Sequence, residues 1–86
     1  MDDDEQVCDI GWAVKQMRLG FRVRRTGWNG KGMWLGIINP GEDPRYPRQN
    51  TDMDQPYVFI RTMQDQWVPW VCSQTDLLAT DWEIAE

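Results

Sequence analysis

The residues best suited to chemistry lie close together in Thr26-Gly27-Trp28-Asn29-Gly30-Lys31-Gly32. Three glycines in six positions permit restricted backbone angles and close approach by other groups. Asn29-Gly30 is a strong signal for a tight turn between strands. Trp28 sets a large flat ring on that turn, Arg22, Arg24 and Arg25 lead in, and Lys31 leads out. An aromatic face, an amide, open backbone N–H groups and cations are what a nucleotide needs: a platform for its base and donors for its hydroxyls and phosphates. The competing reading is a hairpin loop whose Trp28 folds back onto the sheet.

A second polar group lies near the C-terminus. Gln74 supplies an amide, Ser73 and Thr75 hydroxyls, and Asp76 a carboxylate. A ribose diol is matched by a carboxylate acceptor, a pyrophosphate by N–H groups and guanidinium. Catalytic readings have less behind them. The chain has no His, and so lacks the commonest general base and metal ligand. It carries no nucleophile elbow, no phosphate-binding loop and no metal-spaced Cys pair. Asp76, Asp81 and Glu83 could form a carboxylate pair, but acids at such positions more often serve as caps or solvated side chains. No catalytic residue, metal site or cofactor is expected.

Several elements must position these groups. Asp9 is a good N-cap, and Ile10, Ala13, Val14 and Met17 follow at helical spacing with Trp12 beside the stripe. Lys15 and Arg18 suit the C-terminal end of that helix, and Gly20 its cap. Phe21-Arg22-Val23-Arg24 alternates as a strand with one buried face. Met33-Trp34-Leu35-Gly36-Ile37-Ile38 reads as a strand covered on both faces. Residues 39–56 hold four of the five prolines and form a long loop, functional or mobile. Tyr57-Val58-Phe59-Ile60-Arg61-Thr62-Met63 is the strongest strand, and Gln64-Asp65-Gln66 the turn after it. Trp67-Val68-Pro69-Trp70 returns, with Pro69 marking an edge or bulge. Ser73-Gln74-Thr75-Asp76 caps a short helical turn at Leu77-Leu78-Ala79, and Asp81-Trp82-Glu83-Ile84 closes as a strand with Trp82 and Ile84 on one face.

These elements describe a small α+β domain: a short N-terminal helix followed by antiparallel strands. Residues 1–8 read as an acidic disordered tail and 9–86 as the single domain. The 86 residues include six Trp, more than one small core can bury, so a homo-oligomer, dimer or tetramer, is expected. No apolar run approaches a membrane span, and the acidic start is unlike a signal peptide, so the chain reads as cytosolic with reduced Cys8 and Cys72. Net charge is −5 but unevenly spread: residues 10–41 carry six bases and no acid, residues 42–86 nine acids and three bases. The overall sign disfavours long nucleic acid, while a local basic patch suits a small anion. The alternative is that these bases form a solvated face balanced by the C-terminal acids.

Three segments together resemble a phage-associated family, the second type of Thoeris anti-defence protein. They are the helix with Ala13 and Gly20, then Arg24-Arg25-Thr26-Gly27-Trp28-Asn29-Gly30-Lys31-Gly32-Met33, and then Trp67-Val68-Pro69-Trp70 through Ser73-Gln74-Thr75-Asp76-Leu77-Leu78-Ala79 to Asp81-Trp82. The resemblance spans almost the whole chain from Ile10 to Ile84. It implies a non-catalytic sponge that sequesters a cyclic ADP-ribose isomer made by bacterial Thoeris immunity, with CBASS cyclic oligonucleotides held by some relatives. It further implies homotetramers with pockets between protomers, working in the host bacterial cytoplasm. Carried over by match, Trp28 is the stacking platform, Asn29 a polar contact, and Gln74, Thr75 and Asp76 lie near the pocket on their own or a partner subunit, with Arg25 in the same motif as Trp28. The family often has an aromatic three residues before the helix alanine; here that position holds Ile10, and Trp12 is the candidate replacement. The rival functions are a structural phage or prophage subunit and a small hydrolase of the same signal.

Overall fold

A computed structural model describes residues 7–28, 32–39, 45–46 and 54–85. Helix α1, Ile10–Arg18, starts where Asp9 accepts a hydrogen bond from the Trp12 N–H at 2.9 Å. Such a cap contributes about 1 kcal/mol. The helix stops in a paired C-terminal motif: the Gly20 N–H donates to the Met17 carbonyl and the Phe21 N–H to the Gln16 carbonyl, each at 3.0 Å. Gly20 has φ +100°, the left-handed conformation that a glycine adopts at least cost.

The strands are β1 Arg22–Arg25, β2 Trp34–Ile38, β3 Tyr57–Arg61, β4 Trp67–Pro69 and β5 Trp82–Ala85, with a short helix α2, Gln74–Leu77, between the last two. They form one antiparallel sheet in the order β4-β3-β2-β1-β5. The last strand therefore crosses the sheet to lie beside the first. Pro69 sits on an edge strand, where its missing N–H breaks no ladder, as its sequence predicts.

Each face of the sheet carries its own core. On one, Val23, Leu35, Ile37 and Trp82 pack with Ala13, Met17 and Ala79. On the other, Trp34, Ile38, Phe59 and Ala85 pack with Tyr46. This explains why all five positions of β2 are buried, as the continuous apolar run predicts. Gly36 is dictated by the second face: a Cβ there would lie 2.7 Å from the Tyr46 hydroxyl and 3.0 Å from the Phe59 ring. Gly36→Ala is expected to cost about 1–3 kcal/mol by overpacking. A urea midpoint that falls with unchanged slope checks this, and a parental midpoint would show that Tyr46 yields freely.

Strands β2 to β5 differ from their expected bounds by one or two residues, and two further boundary shifts have a visible cause. The first strand starts at Arg22, because the Phe21 N–H is taken by the helix stop; Phe21 is 49% exposed while Val23 is fully buried. The C-terminal helical turn is Gln74–Leu77, earlier than Leu77-Leu78-Ala79, because Ser73 Oγ accepts from the Asp76 N–H at 3.1 Å and sets the first turn there. At the N-terminus, Cys8 lies within the stretch assigned to the tail and forms a parallel bridge with Asp81. The rest of that acidic stretch, residues 1–6, lies outside the described residues, as does most of the loop 39–56. Both cysteines are free.

Candidate ligand-binding site

The site grows from the end of β1. Arg25 lies opposite Trp82 across the β1–β5 ladder. Its guanidinium, mostly shielded from solvent, binds two carboxylates: Nε donates to Asp81 Oδ1 at 2.8 Å and Nη1 to Asp76 Oδ1 at 2.9 Å. Arg25 thus ties the start of β5 to the first turn of α2. Its hydrogen bonds to Asp81 and then Asp76 hold it more firmly protonated than a free arginine. Arg24 pairs with Glu83 at 2.7 Å, and Arg22 stacks over Trp34 at 4.2 Å. For Arg24 and Arg25, the segregated bases are balanced by acids from the C-terminal third of the chain.

Asp81 also grips the turn that follows. Its Oδ2 accepts from Thr26 Oγ1 at 3.1 Å and from the Gly27 N–H at 3.2 Å, and its carbonyl accepts from the Thr26 N–H at 3.0 Å. The Trp28 N–H closes the turn on the Arg25 carbonyl at 3.2 Å. The exit of the loop is held too: Arg61 Nη1 donates to the Gly32 carbonyl at 2.6 Å, where Gly32 has φ +86°.

The Trp28 ring is half-buried and meets buried Trp82 edge-on, with centroids 5.6 Å apart and planes at 77°. Trp70 meets Trp82 in the same way at 6.1 Å. The Trp28 ring is therefore braced by Trp82 and remains partly open to solvent. Next to this turn lies an open concavity of about 490 Å³ lined by Arg25, Asp81, Thr80, Gln74, Thr75 and the apolar Leu78 and Ala79. Gln74 and Thr75 are exposed on the first turn of α2.

Of the sequence-predicted residues, Arg25, Gln74 and Thr75 line one wall and Asp76 is paired into it through Arg25; Trp28 is not among the lining residues and connects to them through its backbone bond to Arg25. Ile10 and Trp12 do not line it; they lie on the first turn of α1 and pack against the core cluster that holds Trp82. Asn29 lies outside the described residues. Asp81 is the residue sequence reasoning undervalued, since an acid before a strand looks like a cap. The signal that points to it is the complementary charge of two distant segments. A second concavity, about 320 Å³, is lined in part by Val14, Met17, Ile37, Arg18 and Arg45. It holds none of the predicted site residues.

The first concavity presents the Gln74 amide, the Thr75 and Thr80 hydroxyls, the Asp81 carboxylate and the Arg25 guanidinium beside apolar Leu78 and Ala79. Among the described residues, one guanidinium, that of Arg25, meets two carboxylates at its edge. The Arg25 hydrogen bond, reinforced by Thr26 and Gly27, holds the Asp81 carboxyl below the usual carboxylate range. A depressed folded pKa adds stability above the unfolded value, near pH 4, that is lost as pH falls through the folded value. The melting temperature of the parent is therefore expected to fall more steeply than that of Asp81→Asn between about pH 5 and pH 2. Parallel acid limbs would remove Asp81 from the acid response.

Two comparisons bear on this site. The family described as Thoeris anti-defense 2-like domain matches residues 8–85. A protein of Bacillus phage SP01 named Thoeris anti-defense 2 is 35% identical over 86 aligned residues, covering 87% of this chain and 91% of its own length.

Proposed function

Since the chain belongs to the Thoeris anti-defense 2-like domain family, we propose that it blocks bacterial anti-phage defence by sequestering a cyclic nucleotide signal without altering it. The ligand class is a cyclic ADP-ribose isomer, with cyclic oligonucleotides as the related alternative, and the place of action is the host bacterial cytoplasm. The observation that carries this is the half-open Trp28 ring on a turn held by Arg25 and Asp81, which line a concavity together with Gln74 and Thr75. A base stacks on the ring while sugar hydroxyls meet the Gln74 amide and the Thr75 hydroxyl. Among the described residues no helix is long and apolar enough to cross a membrane.

The test is capture and release. Ligand is incubated with protein, the protein is heat-denatured, and the supernatant is analysed. A sponge depletes the free ligand and returns it intact. Recovery of a hydrolysed product would make the protein an enzyme, and a subunit of purely structural role would never deplete the ligand.

The site is proposed to be completed by a second copy. Val71 is 87% exposed and Leu78, on the wall of the concavity, 75%; apolar side chains open to this degree at a site suit a subunit contact. Light scattering at micromolar concentration is expected to show a dimer or tetramer. A monomer would remove the shared pocket and leave each site to one chain.

A further inference from the structure

We propose that Asp81 is a positioning residue of the ligand site: its carboxylate fixes residues 25–27 and so sets the plane of the Trp28 ring on which the ligand stacks. The inference rests on the reading of the site as a nucleotide sponge, but its structural half does not depend on a ligand.

The geometry is specific. Oδ1 takes Arg25 Nε at 2.8 Å, and Oδ2 takes both Thr26 Oγ1 and the Gly27 N–H. Three donors from three successive residues converge on one side chain, and the ring follows at the next position. The grip is doubled by the neighbour of Asp81, because Trp82 meets the same ring edge-on. Residues 81 and 82 thus hold one turn by two different means, a carboxylate and an indole. Asp81 is itself held in place: the Trp82 N–H donates to the Cys8 carbonyl at 3.1 Å, and Cys8 bridges Asp81.

Asparagine at this position keeps the shape and loses one acceptor. Its single carbonyl oxygen can serve Arg25 or the Gly27 N–H; the amide NH2 then faces the other donor. Asp81→Asn should therefore release the turn without opening a cavity. The six indole N–H signals of a ¹⁵N-labelled protein report this directly, with the Trp28 signal assigned by its loss in Trp28→Phe. The Trp28 indole and Gly27 amide signals are expected to shift or broaden in Asp81→Asn, while those of Trp34 and Trp67, on the other face, stay in place. If Asp81→Asn does not fold, Thr26→Val, which removes one of the three donors at an exposed residue, should move the same two signals less far. Unmoved Trp28 and Gly27 signals in a folded variant would overturn the proposal.

The functional half is read by a double-mutant cycle with the Thoeris cyclic ADP-ribose isomer. Asp81→Asn is expected to weaken binding roughly tenfold in the parent and less than about twofold in Trp28→Ala, because its effect runs through the ring. Equal losses in both backgrounds would show that Asp81 acts independently of Trp28. If the parent binds neither the isomer nor a cyclic oligonucleotide, the sponge reading fails on its own, and the signals of the unliganded protein still decide the role of Asp81.

Discussion

Trp28→Ala is expected to weaken binding of the nucleotide signal roughly ten- to a hundredfold while leaving the chain folded. Stacking of a base on an aromatic ring is worth about 1–3 kcal/mol, which spans that range of affinity. The folding cost is bounded by the ring's surroundings. Trp28 is half-buried and touches Trp82 by an edge. An aromatic pair of this kind contributes about 0.5–1.5 kcal/mol beyond its buried area, while a fully buried Trp loses about 3–5 kcal/mol on truncation to Ala. Trp28 should fall nearer the lower figure. Calorimetric titration beside a far-ultraviolet circular dichroism melt separates the two effects. A variant that melts like the parent and binds equally well would end the stacking role and leave the glycine loop as a turn. A variant that does not fold would place the ring in the core.

The same truncation at Trp82 should do the opposite. Trp82 is 2% exposed and lies between Trp28, Trp70 and the residues under α1. Its loss is expected to cost about 3–5 kcal/mol, a large share of the stability of a domain this small. Trp82→Ala should therefore be mostly unfolded, or melt far below the parent, whether or not ligand is present. Trp82→Phe keeps an aromatic edge against Trp28 and should fold with a lowered melting temperature. If Trp82→Ala melted as the parent does, Trp82 would not be core, and the brace under Trp28 would lose its basis. Together the two substitutions ask one question of two identical side chains on one contact: which belongs to the site and which to the fold.

Parts of two segments that carry the family resemblance also meet in space. Arg25-Thr26-Gly27-Trp28 and Asp81-Trp82 are more than fifty positions apart, yet every residue of the first touches the second through a hydrogen bond or a ring contact, save the Trp28 backbone, which bonds within its own turn. Their joint occurrence in the chain reflects one physical unit.

What the sequence determined by itself is local. Asp9, the helical spacing of Ile10, Ala13, Val14 and Met17, and Gly20 set α1 from cap to stop, because caps and amphipathic periodicity act within a few residues. The β-rich runs, Ser73 as a cap and Pro69 at an edge were legible for the same reason, as was the family. What only the tertiary structure decided is pairing at a distance. The place of β5 beside β1, and so the meeting of Arg25 with Asp81, depends on which sheet faces and edges fit together. The pairing of acids from the C-terminal third with Arg24 and Arg25, the approach of Tyr46 that requires Gly36, and the division of Trp28 and Trp82 into half-open ring and core follow from it. No local signal separates one Trp from another, because burial is a property of the surroundings that the whole chain builds around a side chain.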